Sequence, residues 1–180
     1  MSFLLSVARG IDALNENVGK AVAWLALLMV IVQFAVVILR YVFGIGSIFL
    51  QESIIYLHAV VFMVGAGYTL LHSGHVRVDI FYREASPRRK AVVDLLGVVV
   101  FLVPVCALIW WASWPYVASS WRVFEGSREI SGIQAVFLLK TVILVFVALV
   151  VLQGISMAIR SLLTLAGIEQ SRAGEEDERI

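Results

Sequence analysis

The chain has 180 residues, of which 61% are hydrophobic and 15% are charged, and its formal net charge is +1. Soluble domains are closer to half apolar and a quarter charged, so this composition excludes an ordinary water-soluble domain. The net charge says little about partners, and the single cysteine, Cys106, excludes a disulfide framework.

The first predicted element is an amphipathic helix over residues 3–19. Apolar residues recur there at helical spacing, and the polar residues Arg9, Asp12, Asn15 and Glu16 lie between them. That pattern is typical of a helix lying in the membrane interface, so we expect it to lead along the surface into the first span. A frayed terminal tail is the alternative.

Four apolar stretches follow, and each is long enough to cross a bilayer. Their cores carry no formal charge, and about 19 helical residues reach roughly 28 Å, close to the thickness of the hydrocarbon layer. The predicted spans cover about 21–39, 53–71, 91–112 and 134–159. We therefore predict an all-α integral membrane protein with a single four-helix domain over residues 1–167 and a disordered polar tail over 168–180.

Lysine and arginine are distributed unequally between the two sides of these spans. The amino-terminal segment, the 72–90 loop and the carboxy-terminal segment share one side and carry ten of them, against three on the opposite side. Because positively charged loops are retained in the cytoplasm, both termini are predicted to be cytoplasmic.

Few ionisable residues fall within or beside the spans, and such residues are functional candidates by default. Arg40 ends span 1, Glu52 begins span 2 and Lys140 lies early in span 4, so the topology places all three at the outer end. A carboxylate between two cations would offset the desolvation of each, which predicts a polar clamp or a partner contact. The alternative is that both cations extend to the headgroups along their apolar stems.

Asp94 is a further charged residue at the start of a span. It lies four residues after Lys90, in the first turn of span 3. An acid there suits the helix dipole and an i,i+4 ion pair, which is the role we predict. A contact with a partner is the alternative.

The three histidines, His58, His72 and His75, lie close together in the sequence and raise the question of haem or metal binding. His58 and His72 are about four turns apart on one helix face, but the other spans supply no histidine as a second axial ligand. A cluster of His72, His75 and Asp79 lacks a fourth metal ligand at suitable spacing. Phosphate-binding and catalytic motifs are also missing, so we expect no catalytic, cofactor-binding or metal-binding residues and no enzyme activity.

Four stretches of the sequence together resemble one family of membrane proteins. The first is RYVFGIG at 40–46, and the second is the 50–82 stretch, which contains Glu52 and the run His75, Arg77 and Asp79. The third is SREISG at 127–132, and the fourth is the 139–167 stretch, which contains Lys140 and LQGIS. Their order and spacing resemble the small membrane subunit, the DctQ-like or Q component, of tripartite ATP-independent periplasmic (TRAP) transporters. The lysine early in span 4 and the LQGIS run resemble the mannitol and chloroaromatic subgroup.

The resemblance implies a small, non-catalytic subunit that scaffolds a large permease subunit in the bacterial inner membrane. A periplasmic binding protein would deliver an organic acid, and the large subunit would move it inward with sodium. The resemblance places Arg40, Glu52 and Lys140 at the subunit interface or in the outer layer, and the 75–79 run at the cytoplasmic surface. It implies no cofactor and no nucleic acid partner.

Two other functions stay open at this point. One is a haem or anchor subunit of a membrane dehydrogenase, which a Soret band in the visible spectrum of the purified protein would reveal. The other is an independent small channel, which solute flux through the reconstituted chain alone would reveal. Four spans without inverted repeats or paired broken helices are few for an independent alternating-access transporter.

Overall fold

A computed structural model describes residues 2–74, 82 and 85–167 of the chain. Within those ranges the regular secondary structure is helical and contains no strand. The helices are α1 (Ser2–Val42), α2 (Ile48–Val64), α3 (Ala66–Leu71), α4 (Pro87–Leu96), a π-helical segment (Gly97–Leu102), α5 (Val103–Arg122) and α6 (Val136–Leu165). They make four helices long and apolar enough to cross a membrane, namely Phe3–Val42, Ile48–Leu71, Pro87–Arg122 and Val136–Leu165. This confirms the predicted all-α fold with four spans, while the predicted tail over 168–180 lies outside the described residues.

The amino-terminal segment and the first span form a single helix. α1 has 41 residues, which corresponds to about 60 Å, roughly twice the hydrocarbon thickness of a bilayer. The segment over 3–19 is therefore helical, as expected, but no break at Lys20 separates it from span 1. Its buried residues Ala8, Asn15 and Gly19 face the other helices, and its position relative to the membrane surface stays a prediction.

α6 is the central helix of the bundle and contacts each of the other helical segments. Its buried face combines apolar residues such as Leu144 and Val147 with the polar residues Gln153 and Ser156. The outer surface of the bundle is strongly apolar, and Trp24 on α1, for example, is 72% exposed. Such a surface is suited to contact with lipid or with another membrane protein rather than with water.

A proline shapes the third span. Proline lacks a backbone N–H, and its ring clashes with the carbonyl group four residues earlier in an α-helix. Ahead of Pro104 the helix widens into the π-helical segment, and the Val103 N–H donates to the Val98 carbonyl, five residues back. The wider turn accommodates the proline without ending the helix, so the third span continues to Arg122, well beyond the predicted end at residue 112.

Two glycines let α1 and α3 approach each other closely. A Cβ atom added at Gly19 would lie 2.2 Å from Cγ of Tyr68, and one added at Gly67 would lie 2.2 Å from Oδ1 of Asn15. Close contact through small residues is a main source of helix association in lipid. These glycines therefore set the distance between the two helices.

Replacing Gly67 with alanine is expected to destabilise the bundle by about 1–3 kcal/mol, because the added methyl group would push α1 and α3 apart. Gly10 on α1 provides the matched control, since nothing lies within 4 Å of a Cβ atom built there. Gly10→Ala should be neutral or stabilising by up to about 1 kcal/mol. Thermal unfolding of the two variants in detergent measures the difference, and equal shifts would contradict the close contact at Gly67.

Candidate functional site

A carboxylate holds the loop between α5 and α6 against α2. The 123–135 loop lies at the end of the bundle where α2 and α6 begin, which we call the loop end. Oε1 of Glu52 accepts a hydrogen bond from the Ser127 hydroxyl at 2.5 Å, and Oε2 accepts one from the Ile133 backbone N–H at 2.6 Å. The Tyr56 hydroxyl donates to the Ile133 carbonyl at 3.3 Å. Since both carboxylate oxygens of Glu52 are used, this residue fixes the path of the loop.

Lys140 has a different counter-ion from the one that its position in the sequence suggested. Its ammonium group forms an ion pair with Glu125, which follows the end of α5. The same group lies 3.9 Å from the centroid of the Tyr116 ring, an arrangement typical of a cation–π interaction. The Lys140 side chain is only 12% exposed, so these two contacts compensate for its removal from water.

The predicted clamp of one carboxylate between two cations is therefore corrected. Among the residues that the structure describes, no ion pair joins Arg40, Glu52 and Lys140. The reason is that the 123–135 loop supplies partners to both Glu52 and Lys140. Arg40 is exposed and lines a small crevice with Gln51 at the turn from α1 to α2, and its role as a partner contact stays a prediction.

The Lys140–Glu125 pair predicts a dependence of stability on pH. A hydrogen bond from the Lys140 ammonium holds the pKa of the Glu125 carboxyl below its ordinary value of 4.5. The stabilisation is therefore present above the ordinary value and is lost as the pH falls through the lowered pKa of the folded state. We expect the thermal unfolding temperature to decrease when the pH is lowered below about 4.5. The decrease should be less steep in Glu125→Gln. Identical pH profiles of the two proteins would contradict this role of the pair.

A second polar cluster joins α1 to α6 at the opposite end of the bundle. Asp12 accepts hydrogen bonds from the Ser156 hydroxyl at 2.6 Å and from the Gln153 side-chain amide at 3.0 Å, and it forms an ion pair with Arg160. The Asn15 amide donates to Gln153 at 2.9 Å. Asn15 is fully buried and Gln153 is 4% exposed, so the cluster lies inside the helix contact. We call it the Asp12 cluster.

The sequence places Asp12 on the polar face of the predicted amino-terminal helix, whereas in the structure it contacts α6. The sequence does contain a signal for such a contact. Gln153, Ser156 and Arg160 are spaced three and four residues apart, so they share one face of α6. A polar stripe within an apolar helix needs partners. Glu125 gave no such signal, since it lies in the 123–135 loop.

The structure describes one of the remaining predicted contact residues, Asp94, but not the run His75, Arg77 and Asp79. Asp94 accepts a hydrogen bond from the Tyr82 hydroxyl at 2.7 Å, while within the described part of the chain no ion pair with Lys90 is formed. His75, Arg77 and Asp79 lie outside the described residues, so their predicted position at the cytoplasmic surface stays a prediction.

The histidines that the structure describes take part in surface contacts. His72 lies 2.6 Å from a carboxylate oxygen of Glu16, and His58 stacks on Phe62 at the outer face of α2. Among the described residues, no group of three histidine, cysteine, aspartate or glutamate side chains is arranged to hold a metal ion. The polar groups at the loop end and in the Asp12 cluster hold helices and a loop together.

Comparison with known families gives a match over most of the chain. The family model described as "Tripartite ATP-independent periplasmic transporters, DctQ component" matches residues 29–164. That range includes Glu52, Glu125 and Lys140 at the loop end, and from the Asp12 cluster it includes Gln153, Ser156 and Arg160 but not Asp12 itself. Neither the curated proteins nor the solved structures gave a match.

Proposed function

Because the chain belongs to the DctQ component family of tripartite ATP-independent periplasmic transporters, we propose that it is the small, non-catalytic subunit that scaffolds the large permease subunit of such a transporter. The large subunit moves an organic acid inward with sodium after a periplasmic binding protein has delivered it. The family match over 29–164 carries this proposal, and the four helices long enough to span a membrane agree with it.

The internal contacts support a scaffolding role. A scaffold has to keep its shape while its partner moves, and α6 is tied to its neighbours at both ends of the bundle. At the loop end the Lys140–Glu125 pair joins α6 to the loop after α5, and at the other end the Asp12–Arg160 pair joins α6 to α1. Both ties combine charge with hydrogen bonding, which gives them a defined geometry.

The outer face of α2 supports contact with another membrane protein. Gln51, Ile55, His58 and Phe62 lie on one face of α2, because their spacing follows the helical repeat, and all four are exposed. His58 lies within the span, where a polar group facing lipid is costly unless a partner satisfies it. A helix of the large subunit that offers a hydrogen-bonding side chain would satisfy His58.

The proposed setting is the bacterial inner membrane, with both termini in the cytoplasm. The unequal distribution of lysine and arginine supports this orientation. The loop end, with Arg40, Glu52 and Lys140, then faces the periplasm, where the binding protein docks. The Asp12 cluster then lies toward the cytoplasm.

Co-purification with the large permease subunit tests the proposal. Tagged chain and large subunit are co-expressed, and the amount of large subunit retained per chain is measured after affinity purification in detergent. Arg40→Gln should lower that amount, because Arg40 is exposed and lies beside Gln51, which begins the outer face of α2 that we propose for this contact. Arg122→Gln, which removes the same charge from an exposed position at the same end, is the control. Failure of the unmodified chain to retain the large subunit would contradict the proposal.

A further inference from the structure

A polar cavity lies beside the Asp12 cluster, at the end of the bundle where α3 and α6 end and α4 begins. Its volume is about 350 Å³. Its polar wall includes Lys90, Asp94, Arg160 and Ser161, and its apolar wall includes Leu71 and Met157. The contacts that hold the loop end and join α1 to α6 leave this cavity without an assigned role.

Lys90 brings a positive charge to the cavity, and no carboxylate of the described residues forms an ion pair with it. Its ammonium group lies 5.5 Å from the centroid of the Tyr82 ring. Asp94, one turn further along α4, instead accepts the hydrogen bond from Tyr82. Lys90 is therefore available to an anionic group.

Ser161 and Arg160 add hydrogen-bond donors from α6. Ser161 lines the cavity and is only 5% exposed, so its hydroxyl is placed to donate to a group bound there. Arg160 uses one guanidinium nitrogen for Asp12, which leaves further N–H groups in the planar fork.

This combination of side chains is suited to a phosphate group. A guanidinium, an ammonium and a hydroxyl are the usual donors to phosphate oxygens, and basic pockets between membrane helices bind lipid headgroups. The cavity lies toward the ends of α3 and α6 and the start of α4, and in the proposed orientation it faces the cytoplasmic headgroups. Leu71 and Met157 in the apolar wall of the cavity offer a surface to the glycerol and the first carbons of an acyl chain.

We propose that this cavity binds the headgroup of a membrane phospholipid, with Lys90, Arg160 and Ser161 holding the phosphate. The Asp94 carboxylate favours a headgroup that also carries a donor, of which phosphoethanolamine is the simplest. The apolar wall of the cavity favours a lipid over a free anion. A bound phospholipid would then join α4 to α6 as the Asp12 cluster joins α1 to α6.

Native mass spectrometry of the full chain in detergent, with added phosphatidylethanolamine, tests this proposal. Lys90→Gln should bind the lipid roughly fivefold to tenfold more weakly than the unmodified chain. Arg89→Gln is the matched control, because it removes the same charge from the preceding, exposed residue of α4, which does not line the cavity. Equal losses in both variants, or no loss in Lys90→Gln, would overturn the proposal.

A second variant and a competition experiment distinguish lipid binding from misfolding and from the binding of a soluble anion. Ser161→Ala removes only one hydroxyl, so it should fold even if Lys90→Gln does not, and it should weaken lipid binding roughly fivefold. An excess of inorganic phosphate should leave the bound phospholipid in place. Displacement of the lipid by inorganic phosphate would show a site for a soluble anion and would overturn the assignment to a lipid, as would unchanged binding in Ser161→Ala.

Discussion

Replacing Asp12 with alanine is expected to lower the free energy of unfolding by about 2 kcal/mol. Its carboxylate accepts hydrogen bonds from Gln153, Ser156 and Arg160. Hydrogen bonds between membrane helices contribute about 0.6 kcal/mol each, and the Arg160 guanidinium would also lose its counter-charge. Reversible unfolding of the purified chain in mixed micelles, followed by far-ultraviolet circular dichroism, measures the change.

Glu16→Ala is the control for that experiment. Glu16 lies one turn from Asp12 on α1, but it pairs with Lys20 and His72 at the surface, where ion pairs contribute little. A double-mutant cycle of Asp12→Ala and Arg160→Ala should in addition show a favourable coupling between the two residues. A loss in Asp12→Ala no larger than that in Glu16→Ala would contradict the structural role of the Asp12 cluster.

Replacing Glu52 with alanine is expected to release the 123–135 loop and to destabilise the chain by about 2 kcal/mol, because two hydrogen bonds to an ionised carboxylate are lost at a partly exposed site. The Ile133 N–H, which donates to Glu52 at 2.6 Å, would lose its acceptor. Its hydrogen exchange should therefore accelerate more than that of amides in the middle of α6. Hydrogen exchange followed by mass spectrometry measures both rates.

Glu129→Ala is the control that separates the loss of the Glu52 hydrogen bonds from the loss of one negative charge. Glu129 lies in the same loop and is exposed, and among the described residues its hydrogen bonds are made by its backbone groups. The substitution removes one carboxylate from the loop, as Glu52→Ala does from the α2 side, but it leaves the contacts with Ser127 and Ile133 in place. Equal exchange at Ile133 in the two variants would show that Glu52 does not anchor the loop.

The four spans were predictable because the signal that defines them is local. An uncharged stretch of sufficient length has to form a helix in lipid, whatever lies around it. The ends of the helices were less predictable, since charged and aromatic residues at an interface are compatible with a continuing helix. The third span shows this, because α5 carries Trp114 and Pro115 without interruption as far as Arg122.

The partners of the charged residues could not be predicted in the same way. The prediction that Glu52 and Lys140 share a layer depended on depth alone, whereas their actual partners depend on the path of the 123–135 loop. Ser127 and Glu125 reach them from that loop. The contact of Asp12 with α6 was not predicted for a related reason. A separate surface helix over 3–19 would not pack on α6, whereas the continuous helix α1 does.

The family match covers the loop end and most of α6, and it begins after Asp12. Under the proposed orientation, contact with the partner subunit or the binding protein is best tested at the loop end. The Asp12 cluster is best tested through stability.

Uptake by cells that lack only this chain tests the proposed function most directly. The cells retain the large permease subunit and the periplasmic binding protein, and the radiolabelled organic acid is one that the purified binding protein binds in a thermal shift assay. We expect that uptake is lost without the chain, is restored when the chain is supplied, and is not supported by the chain alone. Undiminished uptake in its absence, or uptake by the chain without the large subunit, would contradict the proposal.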